Sequence, residues 1–396
     1  MGGEWQKRPL GELTENYDNL RVPVKGKDRV SGPFPYYGAS GIVDYVDQYI
    51  FDGEYLLIAE DGENLRTRNT PIAFMARGKF WVNNHAHIVR SNKEANTLYL
   101  MYALAGTDIS GFLTGSTMPK LTQGNMNRIP VITPPLKDQE AIACILGALD
   151  DKIELNRRMN RTLEDMARAI FKSWFVDFDP VRAKAAGQQP LGLKPEIADL
   201  FPDSLEDSEL GEIPKGWRVG PLETAFVLKR GFDLPSSCRT AGLYPVIAAS
   251  GPNGTHNEYK ARGPGVTTGR SGVLGKVFYV HQDFWPLNTS LWVKAFKHYT
   301  PAYTFHFLQF LDLRLFDAGS AVPTLNRNHV HNLPILLPQN DIVAVFDRLS
   351  VDFLKKQKQN DEQSKTLSTL RDTLLPKLIS GELRVPDAER IAGRCL

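Results

Sequence analysis

Several strings in this 396-residue chain carry side chains capable of chemistry, and each stops short of a reaction. GRSGVLGKV, Gly269 to Val277, is similar to a phosphate-binding loop, but its glycine-to-lysine spacing is one residue too long. Val277 also stands where a Ser or Thr would hold magnesium. His85 and His87 alternate as neighbours on a strand do; a metal reading is open to them, yet a strand or loop position accounts for them more simply. Cys144, Cys238 and Cys395 are too scattered for a disulfide framework or a zinc cluster and suit thiols in a reducing compartment. There is no Rossmann glycine fingerprint, no HExxH pair and no close Cys/His cluster. The expectation is a chain with no catalytic constellation, no metal and no cofactor.

The elements that must position the remaining polar residues come in two copies. GSTMPKL, Gly115 to Leu121, faces GSAVPTL, Gly319 to Leu325, and NRIPVITPP, Asn127 to Pro135, faces HNLPILLP, His331 to Pro338. One constant offset sets Gly115 on Gly319, Pro119 on Pro323 and Pro130 on Pro334. Upstream, GASG at Gly38 resembles AASG at Ala248, FWVNNHAHIV at Phe80 resembles FWPLNTSLWV at Phe284, and Trp5 resembles Trp217. A period of about 200 residues is far longer than the roughly 20 to 50 of a solenoid unit, so this is a duplicated module. Each module reads as mixed α/β with short strands, such as Tyr55 to Ala59 and Val277 to Val280, and one helical stretch, Ala95 to Ala105 or Pro301 to Leu313.

Each copy leads into a long helix. At spacings of four and three, the first seam is Ile142, Leu146, Leu149, Ile153, Asn156, Asn160, Leu163, Ala167, Ile170 and Trp174. The second is Ile342, Phe346, Leu349, Phe353, Lys356, Asn360, Gln363, Leu367, Leu370 and Leu374. That heptad rhythm is the pattern of a coiled coil, and both seams turn polar in the middle, where Asn156 and Asn160 in one and Asn360 and Gln363 in the other can fix register. A polar middle also suits a solvated stretch where two helices diverge. Helices of about 35 to 40 residues are roughly 55 Å long, the length of a spacer. If they pair antiparallel, the modules end up at opposite ends of a rod.

Charge is uneven along the chain. Residues 136–214 hold 10 Lys and Arg against 16 Asp and Glu, whereas residues 215–335 hold 13 against 6. A basic module can attract phosphate backbone, and an acidic connector can meet a basic partner or be solvated. The start, MGGEWQKRPL, has no apolar signal core, and the longest apolar stretch, Ala141 to Leu149, is far below the ~20 residues of a membrane span. A soluble, cytoplasmic protein with no membrane role is expected.

The order of parts carries a resemblance. A module ending GSTMPKL and NRIPVITPPLKDQEAI, a long helix closing on SWFVDFDPV, a second module, and a helix closing on LLPKLISGEL resemble the specificity subunit of a type I restriction-modification system over essentially the whole chain. The resemblance implies an α+β fold, with two duplicated mixed α/β target-recognition domains separated by a long antiparallel two-helix coiled coil. It implies recognition domains at 1–135 and 215–337, coiled-coil helices at 136–180 and 338–383, a linker at 181–214 and a tail at 384–396. It also implies that each module reads one half of a split site on double-stranded DNA, that the helices set the gap and dock two methyltransferase subunits, and that restriction subunits join through that methyltransferase core. Methyltransferases of the partner type resemble one another in an Asn/Asp-Pro-Pro-aromatic loop for the flipped base. Thr133-Pro134-Pro135-Leu136 lacks both its polar head and its ring, and suits a rigid entry to the helix.

Arginine and lysine can read guanine, asparagine and glutamine can read adenine, and all can meet phosphate. DNA contacts are therefore expected from Arg66, Arg68, Lys79, Asn84, His85, Lys120 and Asn125 in the first module. In the second they are expected from Lys229, Arg230, Arg262, Arg270, Ser271, Lys276, Asn326 and Arg327. Each is also the kind of residue found on any solvated surface. Residues equivalent in the repeat are scaffold candidates: Asn84 and Asn288 suit a turn, and Ser116 and Ser320 suit a helix cap. The competing readings are a specificity protein serving a methyltransferase without a nuclease, a duplicated enzyme that dimerises through its helices, and a protein scaffold.

Overall fold

The computed structural model describes residues 5–319 and 322–393; Ser320 and Cys395 lie outside them. The chain divides into two compact units, Met1–Arg157 with Asp361–Leu396, and Arg158–Asn360. Both long helices are continuous, Leu136–Phe175 and Asn340–Ser380, and each contributes one half to each unit.

In the first unit a six-stranded sheet runs in the order Thr14–Asn16, Ala86–Ser91, Phe51–Ala59, Ala73–Val82, Phe34–Gly38, Gly41–Val46. Its pairs are antiparallel except the parallel contact of Phe34–Gly38 with Ala73–Val82. Two strands, Phe51–Ala59 and Ala73–Val82, run nine and ten residues, longer than the sequence pattern indicated. Glycines at Gly53 and Gly78 face each other in that pair and break the apolar run without breaking the ladder. Leu56, Ile58 and Val89 pack with Tyr99 and Leu104 of helix Thr97–Gly106, then with Ile142, Leu146, Leu149 and Ile153 of the first long helix. Leu367, Leu374 and Leu378 of the second long helix complete that core. Burying each such side chain stabilises by about 1.5–3 kcal/mol.

The second unit repeats the plan with a break in it. Phe226–Arg230, Ser290–Phe296, Gly265–Gly269 and Val277–Val280 form one sheet, and Gly251–His256, Tyr244–Ala248 and Trp285–Pro286 form another. Pro264 stands at the edge of Gly265–Gly269 and offers no N–H to a ladder, so the long strand pair of the first unit has no counterpart here. The stretch expected as a linker is folded: helix Asp179–Ala185, the turn after helix Pro195–Ala198, and the hairpin Leu205–Ser208 with Gly211–Pro214 place Val181, Phe201 and Ile213 respectively in the core of this unit. Of SWFVDF, Trp174 and Phe175 lie in that core and Phe178 packs against it, while Val176 is exposed. Phe171 meets Phe346 at 5.5 Å between ring centroids, Trp174 meets Phe201 at 5.2 Å, and Phe175 meets Trp217 at 6.0 Å.

The helices pair antiparallel within each unit. In the first, Asn156 Nδ2 donates to Gln363 Oε1 at 3.0 Å, and Arg371 reaches back to Asp150 at 2.5 Å. In the second, Asn360 Nδ2 donates to Asn160 Oδ1 at 2.8 Å, and Gln357 Nε2 donates to the Asn160 carbonyl at 3.0 Å. The expected seam of the first helix is buried or half-buried throughout. That of the second needs one correction: Lys356 is exposed, and Ser350, Leu354 and Gln357 face inward instead. A helix with 3.6 residues per turn drifts from a strict 3.5 repeat, and here the drift moves the buried stripe by one residue between Phe346 and Asn360.

The GSTMPKL motif bends back on itself in the first copy. A Cβ at Gly115 would fall 2.1 Å from the Met118 carbonyl oxygen, and one at Gly319 would fall 1.9 Å from that of Val322, so only glycine lets the loop close on itself. Ser116 lies in this turn and caps no helix. The caps are Thr122 and Asn326, whose side chains accept from Asn125 N and Asn328 N at the head of Gln123–Asn127 and Arg327–His331.

Candidate nucleic-acid interface

In the first module the strand ends and the GSTMPKL turn meet. Leu121 N donates to Glu60 O at 2.7 Å, Gly62 N donates to Pro119 O at 3.1 Å, and Arg66 donates to the Gly115 carbonyl at 3.1 Å. Arg66, Asn84, His85 and Lys120 are thereby gathered at one end of the sheet, all exposed. His85 Nδ1 lies 2.7 Å from Asp61 Oδ2, and the Lys120 ammonium lies 3.2 Å from Glu60. Lys79 is elsewhere: it pairs with Asp52 at the far end of the strand pair and sits 4.7 Å over the Tyr49 ring.

Two expected readers are turned to structural work. Arg68, with φ +50°, donates to the carbonyls of Leu104, Ala105 and Thr107, closing the C-terminal end of helix Thr97–Gly106. Asn125 donates to the Phe112 carbonyl at 2.9 Å.

Beneath the exposed group lies an ion-pair network that sequence reasoning missed. Arg21 reaches Glu60 at 2.7 Å and Asp18 at 3.5 Å. His87 places Nδ1 2.5 Å from Asp18 and Nε2 2.7 Å from the Leu121 carbonyl. His87 is thus a buried strand residue that braces the GSTMPKL turn, and among the described residues no His/Cys/Asp/Glu group could hold a metal. Burial alone would raise the Asp18 pKa, but hydrogen bonds from His87 and Ile88 N–H and the charge of Arg21 outweigh it and hold the carboxyl below its ordinary value. Glu60 behaves alike: burial opposes, and Arg21, His87 and Lys120 prevail.

The second module has the same frame. Leu325 N donates to Arg270 O at 2.8 Å, and Gly272 N donates to Pro323 O at 2.9 Å. Arg270 Nε donates to Asn288 O at 3.0 Å, Asn288 Nδ2 donates to Asp233, and Arg230 lies 4.0 Å from Asp233. Lys229 sits 5.7 Å over the Phe232 ring. Arg230, Arg270, Ser271 and Lys276 therefore share one end of the sheet, since Gly269 N donates to the Lys276 carbonyl at 3.3 Å. Arg262 precedes the other end of strand Gly265–Gly269. Asn326 spends its side-chain oxygen as a helix cap, and Arg327 follows it, exposed.

A family model described as the type I restriction modification DNA specificity domain matches residues 2–165 and 214–363, one copy over each module. The HindI type I restriction enzyme specificity subunit of Haemophilus influenzae is 27% identical, with 96% of this chain and 100% of that one covered. A second protein of that organism, S.HindORF215P, is 43% identical over 148 residues, which span 37% of this chain and 38% of the relative. A crystal structure of a type I restriction-modification S subunit from M. genitalium superposes with a TM-score of 0.66 at 16% identity, covering 94% of this chain and 96% of that one; at that identity the likeness is one of fold. Duplicated modules, long helices and a family match over most of the sequence converge on one conclusion: the chain belongs to the type I restriction-modification DNA specificity family.

Proposed function

We propose that this chain is a non-catalytic subunit that gives a type I restriction-modification complex its DNA sequence specificity. Each module reads one half of a bipartite, asymmetric site on double-stranded DNA. The long helices set the number of base pairs between the halves and dock two methyltransferase subunits, through which restriction subunits join, and the complex works in the cytoplasm. Among the described residues no helix is long and apolar enough to cross a membrane.

The observation that carries this reading is one backbone frame used twice with different polar groups at the same end of the sheet: Arg66, His85 and Lys120 in one copy, Arg230, Arg270 and Lys276 in the other. Two readers built alike but lined differently recognise unlike sequences, whereas a duplicated enzyme would repeat its chemistry. Methylation profiling of host DNA, with this chain expressed with and without its cognate methyltransferase subunit, tests it. A new split, asymmetric motif that requires both proteins is the expected result. With an active methyltransferase partner and no such motif, the reading fails.

A further inference from the structure

Two positions of the modules are equivalent by backbone alone. Glu60 follows strand Phe51–Ala59; its N–H donates to His85 O at 2.9 Å and its carbonyl accepts from Leu121 N. Arg270 follows Gly265–Gly269; its N–H donates to Thr289 O at 2.9 Å and its carbonyl accepts from Leu325 N. The registers Asn16 on Val89 and Leu228 on Val293 make Asp18 and Arg230 equivalent in count, each two residues on; Arg230 is still paired with Leu291, while Asp18 opens a 3-10 turn against His87, the counterpart of Leu291. Two carboxylates in the first module are thus two arginines in the second.

The surroundings change sign with them. In the first module Arg21, His87 and Lys120 close on the carboxylates, whose side chains are 8% and 13% exposed. In the second, the places of His87 and Lys120 are taken by Leu291 and Thr324, which carry no charge. The loop three residues on supplies the counter-ion in both, Arg21 to Asp18 and Asp233 to Arg230. Asp233 faces two guanidinium groups, and the Asn288 amide already occupies it. Burial, then the like charge of Arg230, push the Arg270 pKa below its ordinary value against the opposing pull of Asp233. Arg230 is 53% exposed, so the surplus charge is open to a ligand.

We infer that Arg230 and Arg270 form a DNA-acceptor site of the second module, taking two adjacent hydrogen-bond acceptors on the duplex, and that the first module has this same position closed by its own ion pairs. The acceptors are either the O6/N7 edge of a guanine or the oxygens of a phosphate, both of which a guanidinium fork fits. The inference rests on the specificity reading above and names where the two readers differ.

The test uses the complex with its methyltransferase subunit and synthetic duplexes bearing the motif that methylation profiling returns. Arg230→Gln, Arg270→Gln and the double variant are compared with Lys215→Gln, which removes one charge from an exposed turn of the same unit. The double variant should bind about tenfold to a hundredfold more weakly. If the loss appears only on duplexes with guanine at one position of one half-site, the ligand is the guanine edge. If it is uniform and the salt dependence becomes shallower, the ligand is phosphate. Should the double variant melt far below wild type, the exposed single change Arg230→Gln decides. Unchanged affinity and motif, or an equal loss in Lys215→Gln, overturns the inference while leaving the specificity reading intact; absence of any split motif with the wild-type complex overturns that reading itself.

Discussion

Arg21 ties together the part-buried ion-pair network of the first module. It joins Asp18 to Glu60, and its removal by Arg21→Ala leaves two part-buried carboxylates with one cation fewer. A loss of about 3 kcal/mol in the unfolding free energy is expected by denaturant titration. The same network sets an acid limit. Asp18 and Glu60 are held below their ordinary values, so the stability they contribute is full above the ordinary carboxylate range and is lost as pH falls through their lowered values. His306 in the second unit behaves differently. Burial beside Ser350 pushes its pKa down to about 4, with a Gln309 hydrogen bond opposing and Arg168 assisting. Between about 6.5 and 4 the unfolded chain takes up a proton that the folded one refuses, so stability falls with pH across that window. Through His306 the second unit should therefore lose on the order of 3 kcal/mol between pH 7 and 4. His306→Gln should flatten that slope in thermal melts; an unchanged slope would rule His306 out as its source.

At the scale of elements, the paired asparagines invite a double-mutant cycle. Asn360→Leu removes the hydrogen bond to Asn160 Oδ1 and should cost about 1–3 kcal/mol, while Asn160→Leu with Asn360→Leu should recover much of it, because two apolar groups then meet. Additive losses would show that the pair does not act as a unit. That these asparagines meet was readable in advance, since a polar break in an otherwise apolar heptad seam stands out at a fixed spacing. Lys356 was misplaced because a seam drawn on a rigid grid ignores helical drift. The inversion of Glu60 to Arg270 was illegible for a different reason. The two copies sit 204 residues apart at GSTMPKL but 210 apart at GASG, because the first module has a longer loop between Gly62 and Ala73. A further shift between Asp18 and Val24 moves the register again, and only backbone hydrogen bonds locate the equivalent places.

For the whole molecule, the proposed role of the helices predicts a length dependence. One heptad inserted into each helix, at Asn160 and at Asn360, adds about 10 Å of helix. At ~3.4 Å per base pair that is about three base pairs of preferred spacer, with both half-sites unchanged. An unaltered gap in the methylated motif would sink the ruler. The division of the chain has its own consequence for how the protein is made. Arg158–Asn360 is one uninterrupted stretch, whereas the other unit draws Leu367, Leu374, Leu378, Ala388 and Ala392 into the core of residues synthesised first. On a ribosome, the middle of the chain is thus complete while the beginning still waits with Ile142, Leu146, Leu149 and Ile153 uncovered. A chain stopped after Asn360 should keep a cooperative melt for its second unit, yet need a chaperone to stay in solution.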